Sequence, residues 1–409
     1  MRNIRLSSAF RALSNRDYRL FFFGQGVSLI GTWMQNIAAS WLIYKLTDSE
    51  FMLGIASFLG LMPVFIFSPL AGVFSDRFNR RKILIIVQVM AMLQAFTYAT
   101  ITLTGIVQVW QALTLSCILG IINSFEMPVR QAFVVEMVKD RADLTNAIAL
   151  NSLIFNASRF IGPAIAGIIT AALGPGMCFL INGISYIAVI AAFFSMNPPN
   201  NKIDKTKNNI FSDMKEGFFY CFRFIPIRDL LILISFLSLF AMTFPVLLPV
   251  FAVKVFNGDS HTFGILVSSI GAGAFLATIY LAMRKSIDGI GRIMNIAIFT
   301  LSLCLTVFSF NKSISIAMPI LVIAGFSMIV VMASCNMVLQ TIVEEDKRGR
   351  VMSFYVMAFA GTAPIGSLLA GTVSSKIGAP ATLLICGAAC FILATLFFIR
   401  LPSVKKLIK

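Results

Sequence analysis

The chain has 409 residues, of which 58% are hydrophobic and only 12% are charged, and its mean hydropathy is +0.89. Soluble domains carry about 25% charged residues, so this composition cannot supply the polar surface that a soluble chain of this length needs. A cytosolic globular enzyme is therefore excluded. The 39 Phe, 27 Gly and 20 Met instead indicate helices packed within a lipid bilayer.

Twelve apolar stretches are long enough to cross the hydrocarbon core, which takes about 20 helical residues. In chain order they lie at 17–45, 51–74, 83–104, 108–137, 144–171, 175–195, 228–253, 262–283, 292–310, 314–342, 351–374 and 380–400. They form two sets of six, so the pattern predicts an all-α membrane protein with twelve transmembrane helices. None of the seven Cys forms a Cys-x-x-Cys pair, and we expect them to be reduced thiols.

Basic residues fall almost entirely on one side of the predicted membrane. When the connections are numbered alternately, 27 of the 33 Lys and Arg lie on the side of both termini. The other side holds only Lys45, Lys254, Lys312 and Lys376. Because cytoplasmic loops are enriched in Lys and Arg, this asymmetry predicts that both termini are cytoplasmic. The net charge of +16 then reflects topology and attraction to anionic lipid, and predicts no nucleic-acid partner.

The two sets of spans are separated by a polar segment and share a weak repeat. Residues 197–209 are rich in Asn and Lys, as expected of a cytoplasmic linker. Residues 161–167 resemble residues 365–371 at an offset of 204. These features predict two pseudo-symmetric six-helix bundles, at 1–196 and 228–409, joined by a linker at 197–227.

The loop between the second and third spans reads Gly72-Val-Phe-Ser-Asp-Arg-Phe-Asn-Arg-Arg-Lys82. It resembles the loop motif of the major facilitator superfamily, G-x-x-x-D-R-x-G-R-[RK], and departs from it at Asn79. Asn tolerates left-handed backbone geometry, so we expect the turn to be kept. We interpret the loop as a cytoplasmic conformational latch; a basic stop signal is the alternative. The predicted latch residues are Gly72, which permits close helix approach, Asp76, Arg77, Arg80, Arg81 and their partner Glu136.

Three ionisable residues lie deep within predicted spans: Glu126 and Arg130 in the fourth, and Arg159 in the fifth. Each costs about 2.5–3.5 kcal/mol at the bilayer centre, so such groups normally face a water-filled cavity or one another. We expect them to line the N-terminal wall of a central cavity. Their surplus positive charge favours an anionic or zwitterionic ligand, and Glu126 is the best candidate for a proton-linked site. A closed ion network that only fixes helix packing is the alternative.

The C-terminal half has no ionisable residue deep within its spans. Its side of the cavity is therefore expected to come from polar groups, with Phe and Met as soft apolar neighbours. The predicted binding residues other than the three ionisable ones are Asn36, Asn123, Asn156, Asn336 and Gln340. A cavity that is charged on one side and apolar on the other suits an amphipathic solute.

Further motifs resemble one branch of the major facilitator superfamily. The run 159–167 is similar to the Gly-Pro motif of drug:proton antiporters, although it lacks the full glycine series. Together with Arg130-Gln-Ala, Asn151-Ser and the run 348–353, it is similar to the branch of enterobactin exporters and macrolide efflux proteins. The resemblance covers essentially the whole chain.

This resemblance implies a secondary transporter of the bacterial inner membrane. Together with the charged and apolar sides of the predicted cavity, it leads us to expect export of an amphipathic, anionic small molecule, such as a siderophore or drug, by proton antiport and alternating access. The expected partners are the substrate, protons and membrane lipids, and we expect a monomer. A lysophospholipid transporter or flippase on the same fold is the alternative.

Several classes of protein are disfavoured by motifs that the sequence lacks. It contains neither a GxxxxGK[ST] phosphate-binding loop nor a GxSxG nucleophile motif. The only histidine, His261, lies in a predicted outer loop and does not suggest a zinc or haem site. We therefore expect neither an ATP-driven pump nor an enzyme, and no cofactor or metal.

Overall fold

The computed structural model describes residues 10–138, 141–196, 219–241, 243–284, 289–344 and 347–408. Within these ranges the chain forms twelve long helices and no strand, so the predicted all-α membrane fold is confirmed. The helices are α1 (Arg16–Thr47), α2 (Glu50–Arg77), α3 (Arg80–Leu103), α4 (Val109–Met137), α5 (Arg141–Leu173), α6 (Pro175–Ser195), α7 (Ile225–Phe240), α8 (Ser260–Ala282), α9 (Ile290–Phe310), α10 (Ile314–Ile342), α11 (Arg348–Ile377) and α12 (Ala379–Ile408). Most of the predicted linker lies outside the described residues, and α7 begins within its last part.

Eleven of these helical segments are long and apolar enough to cross a membrane, and α1 is the exception. Although α1 has 32 residues, its amide side chains lower its hydropathy. Gln35 Nε2 donates to Gln94 Oε1 on α3 at 2.8 Å, and Asn182 Nδ2 on α6 donates to Gln35 Oε1 at 2.8 Å. Because these amides are buried and bonded to one another, α1 does not expose them to lipid.

Side-chain caps start several helices. The Asn15 side chain accepts hydrogen bonds from the first amides of α1. Asp259 Oδ1 accepts the amide of Thr262 at 3.1 Å and so begins α8. This backbone hydrogen bond lowers the pKa of the Asp259 carboxyl. Polar caps of this kind satisfy amides that have no partner within the helix.

Two glycines make the tightest connections between consecutive helices. Gly174, with φ of 82°, joins α5 to α6, and Gly378, with φ of 85°, joins α11 to α12. Such φ values are strained for residues with a Cβ but not for Gly. The two positions are 204 residues apart, which is the offset of the sequence repeat.

Corresponding helices pack in the same way in the two halves. In the first half α1 packs against α5, α2 against α4, and α3 against α6; in the second half α7 packs against α11, α8 against α10, and α9 against α12. The halves meet where α5 packs against α8 and α2 against α11. The predicted pair of pseudo-symmetric six-helix bundles is confirmed, whereas the exact domain boundaries stay a prediction.

We call the end of the bundles at which α1 begins and α12 ends the terminal face, and the opposite end the distal face. Near the distal face, glycines let the two halves touch backbone to backbone. A Cβ built on Gly54 of α2 would lie 3.2 Å from Cα of Gly371 on α11. One built on Gly264 of α8 would lie 2.7 Å from Cα of Gly167 on α5. The halves are therefore closed against each other on the distal side.

The distal part of α7 loses regular α-helical geometry. After Phe240 the chain forms a 3₁₀ turn at Phe244–Leu247 and a π-helical turn at Phe251–Val255. Pro245 and Pro249 have no backbone N–H to donate, which accounts for the interrupted hydrogen bonding. This irregular segment carries Lys254 to the distal face.

Candidate functional site

Glu126 and Arg130 lie one turn apart on α4 and form an ion pair. Arg130 Nε lies 2.9 Å from Glu126 Oε1, and the Arg130 side chain is only 5% exposed. Gln25 Nε2 on α1 donates to the same carboxylate oxygen at 3.5 Å. A partner that neutralises each charge is what lets an ionised group lie within a membrane helix.

Arg159 lies apart from this pair. Its guanidinium carbon is 5.6 Å from the centre of the Trp33 ring on α1, and within the described residues no carboxylate pairs with it. Trp33 follows Gln25 by eight residues on α1, which separates the two levels by about 12 Å along the helix axis. The three predicted ionisable residues thus form two groups, a neutralised pair and a single cation.

The single cation lies beside the interface between the halves. A Cβ built on Gly271 of α8 would lie 2.4 Å from the carbonyl oxygen of Arg159. The hydroxyl of Ser268, also on α8, donates to the carbonyl oxygen of Phe160. Arg159 is therefore located where α1, α5 and α8 meet, and α8 belongs to the opposite half.

The predicted polar residues of the C-terminal half, Asn336 and Gln340, do line a cavity. Gln340 Nε2 donates to Asn336 Oδ1 at 2.5 Å, one turn away on α10. The cavity has a volume of about 710 Å³. Its other lining residues are Ile329, Met332, Ala333, Met337, Thr341 and Tyr355. These residues belong to the end of α10 and the start of α11, so the cavity lies toward the terminal face.

The remaining predicted asparagines are not gathered around the ionisable residues by side-chain bonds. Asn36 is exposed and Asn123 is half-buried. The Asn156 side chain donates to the Ser152 carbonyl oxygen of its own helix at 2.9 Å. A role for these three residues in ligand binding stays a prediction.

The loop between α2 and α3 is held to its own half by two arginines. Arg80 Nη1 lies 2.5 Å from Glu136 Oε1 near the end of α4, which is the predicted partner. Arg80 Nε also donates to the carbonyl oxygen of Ser75 at 3.1 Å. Arg81 Nε donates to the carbonyl oxygen of Phe193 at 2.7 Å, near the end of α6. The loop therefore braces α2, α3, α4 and α6 together, and its role as a latch between halves stays a prediction.

Two details of the loop differ from the predictions. Among the described residues, no atom outside the local helix backbone lies within 4 Å of a Cβ built on Gly72, so the predicted close helix approach is not seen there. The close approach of α2 occurs instead at Gly54, near the distal face. Asn79 is not left-handed: with φ of −63° it caps α3 and accepts the Lys82 amide at 3.1 Å. Arg77 is exposed, and the side chain of Asp76 lies outside the described residues.

Sequence reasoning missed two functional candidates, Trp33 and Lys254. Lys254 Nζ lies 3.0 Å from Glu50 Oε1 and 3.7 Å from Asp48 Oδ1, and so joins the halves at the distal face. The sequence features that could have identified them are weak. Lys254 is one of four basic residues on the predicted non-cytoplasmic side, and Trp33 is one of three Trp. Neither signal indicates a partner.

Two pseudo-symmetric bundles of six membrane helices, with a cationic side chain beside their interface, define a membrane protein of the major facilitator fold. Solved structures agree with this fold. The chain is similar to a bacterial homologue of the human lysosomal transporter Spinster in an inward-facing, unoccupied conformation, with a TM-score of 0.71 and 12% identity over 95% of this chain and 97% of that one.

The chain belongs to the transmembrane secretion effector family, whose model matches residues 7–408. It is 26% identical to the staphyloferrin A transporter of Staphylococcus aureus (strain NCTC 8325 / PS 47), over 93% of this chain and 95% of that protein. It is 21% identical to macrolide efflux protein A of Streptococcus pyogenes, over 88% of this chain and 91% of that protein. The protein is thus a major facilitator transporter of the efflux type and not an enzyme, as the sequence predicts.

Proposed function

We propose that this transporter exports an amphipathic, anionic small molecule, of siderophore or drug type, in exchange for protons. It does so by alternating access across the bacterial cytoplasmic membrane. The observation that carries this proposal is Arg159, a cation with no carboxylate partner among the described residues, beside the interface of the two halves. The names of the staphyloferrin A and macrolide relatives support a substrate of siderophore or drug type.

The charge balance of the site favours an anion. Arg130 neutralises the negative charge of Glu126 at a distance of 2.9 Å. The positive charge of Arg159 is therefore not balanced by this carboxylate. Within a membrane-spanning protein such a charge is costly unless a counter-ion or water reaches it. An anionic group on the substrate supplies that counter-ion, while Asn336 and Gln340 offer hydrogen bonds to its uncharged polar groups.

Glu126 is our candidate for the proton site. When Glu126 is ionised it neutralises Arg130; when it is protonated, Arg130 is left as a buried cation. Breaking a buried ion pair by neutralising one partner is strongly unfavourable. Proton uptake therefore favours a rearrangement of α4 that gives Arg130 another partner or exposes it to water. In this way protonation of Glu126 is coupled to a change of conformation.

The two ends of the molecule differ in the way that alternating access requires. Contacts between the halves close the distal side, and the cavity at Asn336 and Gln340 lies toward the terminal face. The Lys and Arg asymmetry of the loops predicts that the terminal face is cytoplasmic. We infer an inward-facing state, ready to take its substrate from the cytoplasm.

Everted vesicles with an imposed pH gradient test the proposal, with staphyloferrin A and a macrolide as the probes. We expect uptake of one or both probes when the vesicle interior is acidic, and loss of the pH dependence in Glu126→Gln. Asp259→Asn is the matched control, because it removes a carboxyl charge at the distal end of α8 and keeps the capping oxygen. Probe flux that is indifferent to the gradient in both the wild type and Glu126→Gln would defeat the exchange.

The lysophospholipid alternative receives no support from the relatives, which are named for siderophore and drug transport. The monomeric state and the contacts with membrane lipids stay expectations. Lipid that copurifies and is displaced by neither probe would favour the alternative.

A further inference from the structure

An exchanger needs its proton and its substrate to oppose each other's binding. An anion bound beside Glu126 would instead favour proton binding. Two nearby negative charges repel each other, and protonation of the carboxylate removes that repulsion. A substrate anion that replaced Glu126 on Arg130 would thus bind together with a proton. The anion therefore needs a different cation, at a distance from the Glu126–Arg130 pair.

Arg159 meets that requirement. On α1, Gln25 contacts Glu126 and Trp33 contacts Arg159. The eight residues between these two positions correspond to about 12 Å along the helix axis. Because Coulomb repulsion falls with distance, an anion at Arg159 perturbs Glu126 far less than one at Arg130.

The surroundings of Arg159 are aromatic. The Trp33 ring contacts the ring of Phe155 edge to face, with centroids 6.0 Å apart and an interplanar angle of 71°. Phe155 and Arg159 are one turn apart on α5, so they share a helix face. Trp33 thus contacts both residues, so the cation packs on one ring and that ring packs on a second.

We propose that Arg159, Trp33 and Phe155 form a subsite for an aromatic carboxylate, separate from the proton site at Glu126 and Arg130. A guanidinium binds a carboxylate through two parallel hydrogen bonds, and a ligand ring packs favourably against indole and phenyl rings. This inference rests on the proposed function, and it assigns the anionic group of the substrate to Arg159.

Tryptophan fluorescence can test the subsite, because the chain has only three Trp. In full-length protein carrying Trp41→Phe and Trp110→Phe, Trp33 is the single reporter. The probes are phenylacetate, the uncharged phenylacetamide and cyclohexylacetate, whose ring is saturated and not aromatic. We expect saturable quenching by phenylacetate, with affinity at least about tenfold weaker for phenylacetamide, since a charged hydrogen bond is lost. Cyclohexylacetate is expected to bind more weakly than phenylacetate but more tightly than phenylacetamide.

Variants then separate the two sites. Arg159→Gln is expected to weaken phenylacetate binding by about tenfold or more, and Arg159→Lys, which keeps the charge without the planar fork, by less. Glu126→Gln in the same background is expected to change the affinity for phenylacetate far less than Arg159→Gln does. Asp259→Asn, at the distal end of α8, is the control that should leave it unchanged. The subsite is wrong if phenylacetamide binds as tightly as phenylacetate, or if Glu126→Gln weakens phenylacetate as much as Arg159→Gln does.

The binding result and the vesicle result can fail independently. Selective phenylacetate binding together with flux that is indifferent to pH overturns proton exchange and keeps the subsite. Proton-coupled flux without phenylacetate binding keeps the proposed function and overturns the subsite. Circular dichroism and size-exclusion profiles matching the wild type establish that each variant is folded.

Discussion

Lys254 and Glu50 form an ion pair between the two halves of the protein, with 3.0 Å between Nζ and Oε1. Lys254 lies in the π-helical turn that follows α7, and Glu50 is the first residue of α2. The two residues are 204 positions apart in the chain. Their pairing ties the irregular end of α7 to the opposite bundle, at the face where the glycine contacts close the structure.

Removing the charge of Lys254 is expected to loosen the distal closure. Exposed ion pairs contribute about 0.2–1 kcal/mol, so Lys254→Met should favour the distally open state by up to about fivefold. The labelling rate of Ser57→Cys by a membrane-impermeant maleimide measures this, because Ser57 bonds to Ser367 across the closed interface. The matched control is Lys45→Met, since Lys45 packs on Trp41 of its own helix by cation–π interaction and forms no ion pair with another described residue. Equal labelling in the two variants would show that the pair does not hold the face closed.

A methyl group at Gly264 should oppose closure more strongly. A Cβ there would lie 2.7 Å from both the Gly167 Cα and the Pro163 carbonyl oxygen, and backbone atoms cannot move aside without parting α5 from α8. We expect Gly264→Ala to raise labelling of Ser57→Cys well above the level in Lys254→Met. Gly72→Ala is the control, because in the described part of the chain its Cβ position has no neighbour within 4 Å beyond the local helix backbone. Labelling of Gly264→Ala at the wild-type rate would contradict the assignment of this contact to the distal closure.

The Arg80–Glu136 pair is expected to stabilise the N-terminal bundle. Glu136→Gln removes a charge-assisted hydrogen bond between two side chains that are 24% and 19% exposed, with an expected cost of about 1–2 kcal/mol. The thermal unfolding midpoint of the purified protein in detergent should fall by a few degrees. Arg77→Gln, at an exposed position in the same loop, should leave the midpoint unchanged. A latch that acts only between the halves predicts the opposite, namely altered transport with no loss of stability in Glu136→Gln.

Several parts of the site follow from sequence because they are local. Glu126 and Arg130 pair since residues four apart share a helix face. Asn336 and Gln340 bond to each other for the same reason. Arg159 was identified as a functional candidate from the cost of a charge within a span, but its neighbour Trp33 was not. That contact depends on how α1 lies against α5, which no local pattern records.

The twelve spans, their two sets of six and the uneven distribution of Lys and Arg can all be predicted from the amino-acid sequence. These properties follow from hydrophobic length and loop charge, which each segment carries independently of the others. Three relationships require the folded structure: Gln25 contacts Glu126 across 101 residues, Arg159 lies apart from the Glu126–Arg130 pair, and the halves are closed at the distal face. Such relationships depend on the packing of helices that are remote in the chain, and packing is a property of shape rather than of composition.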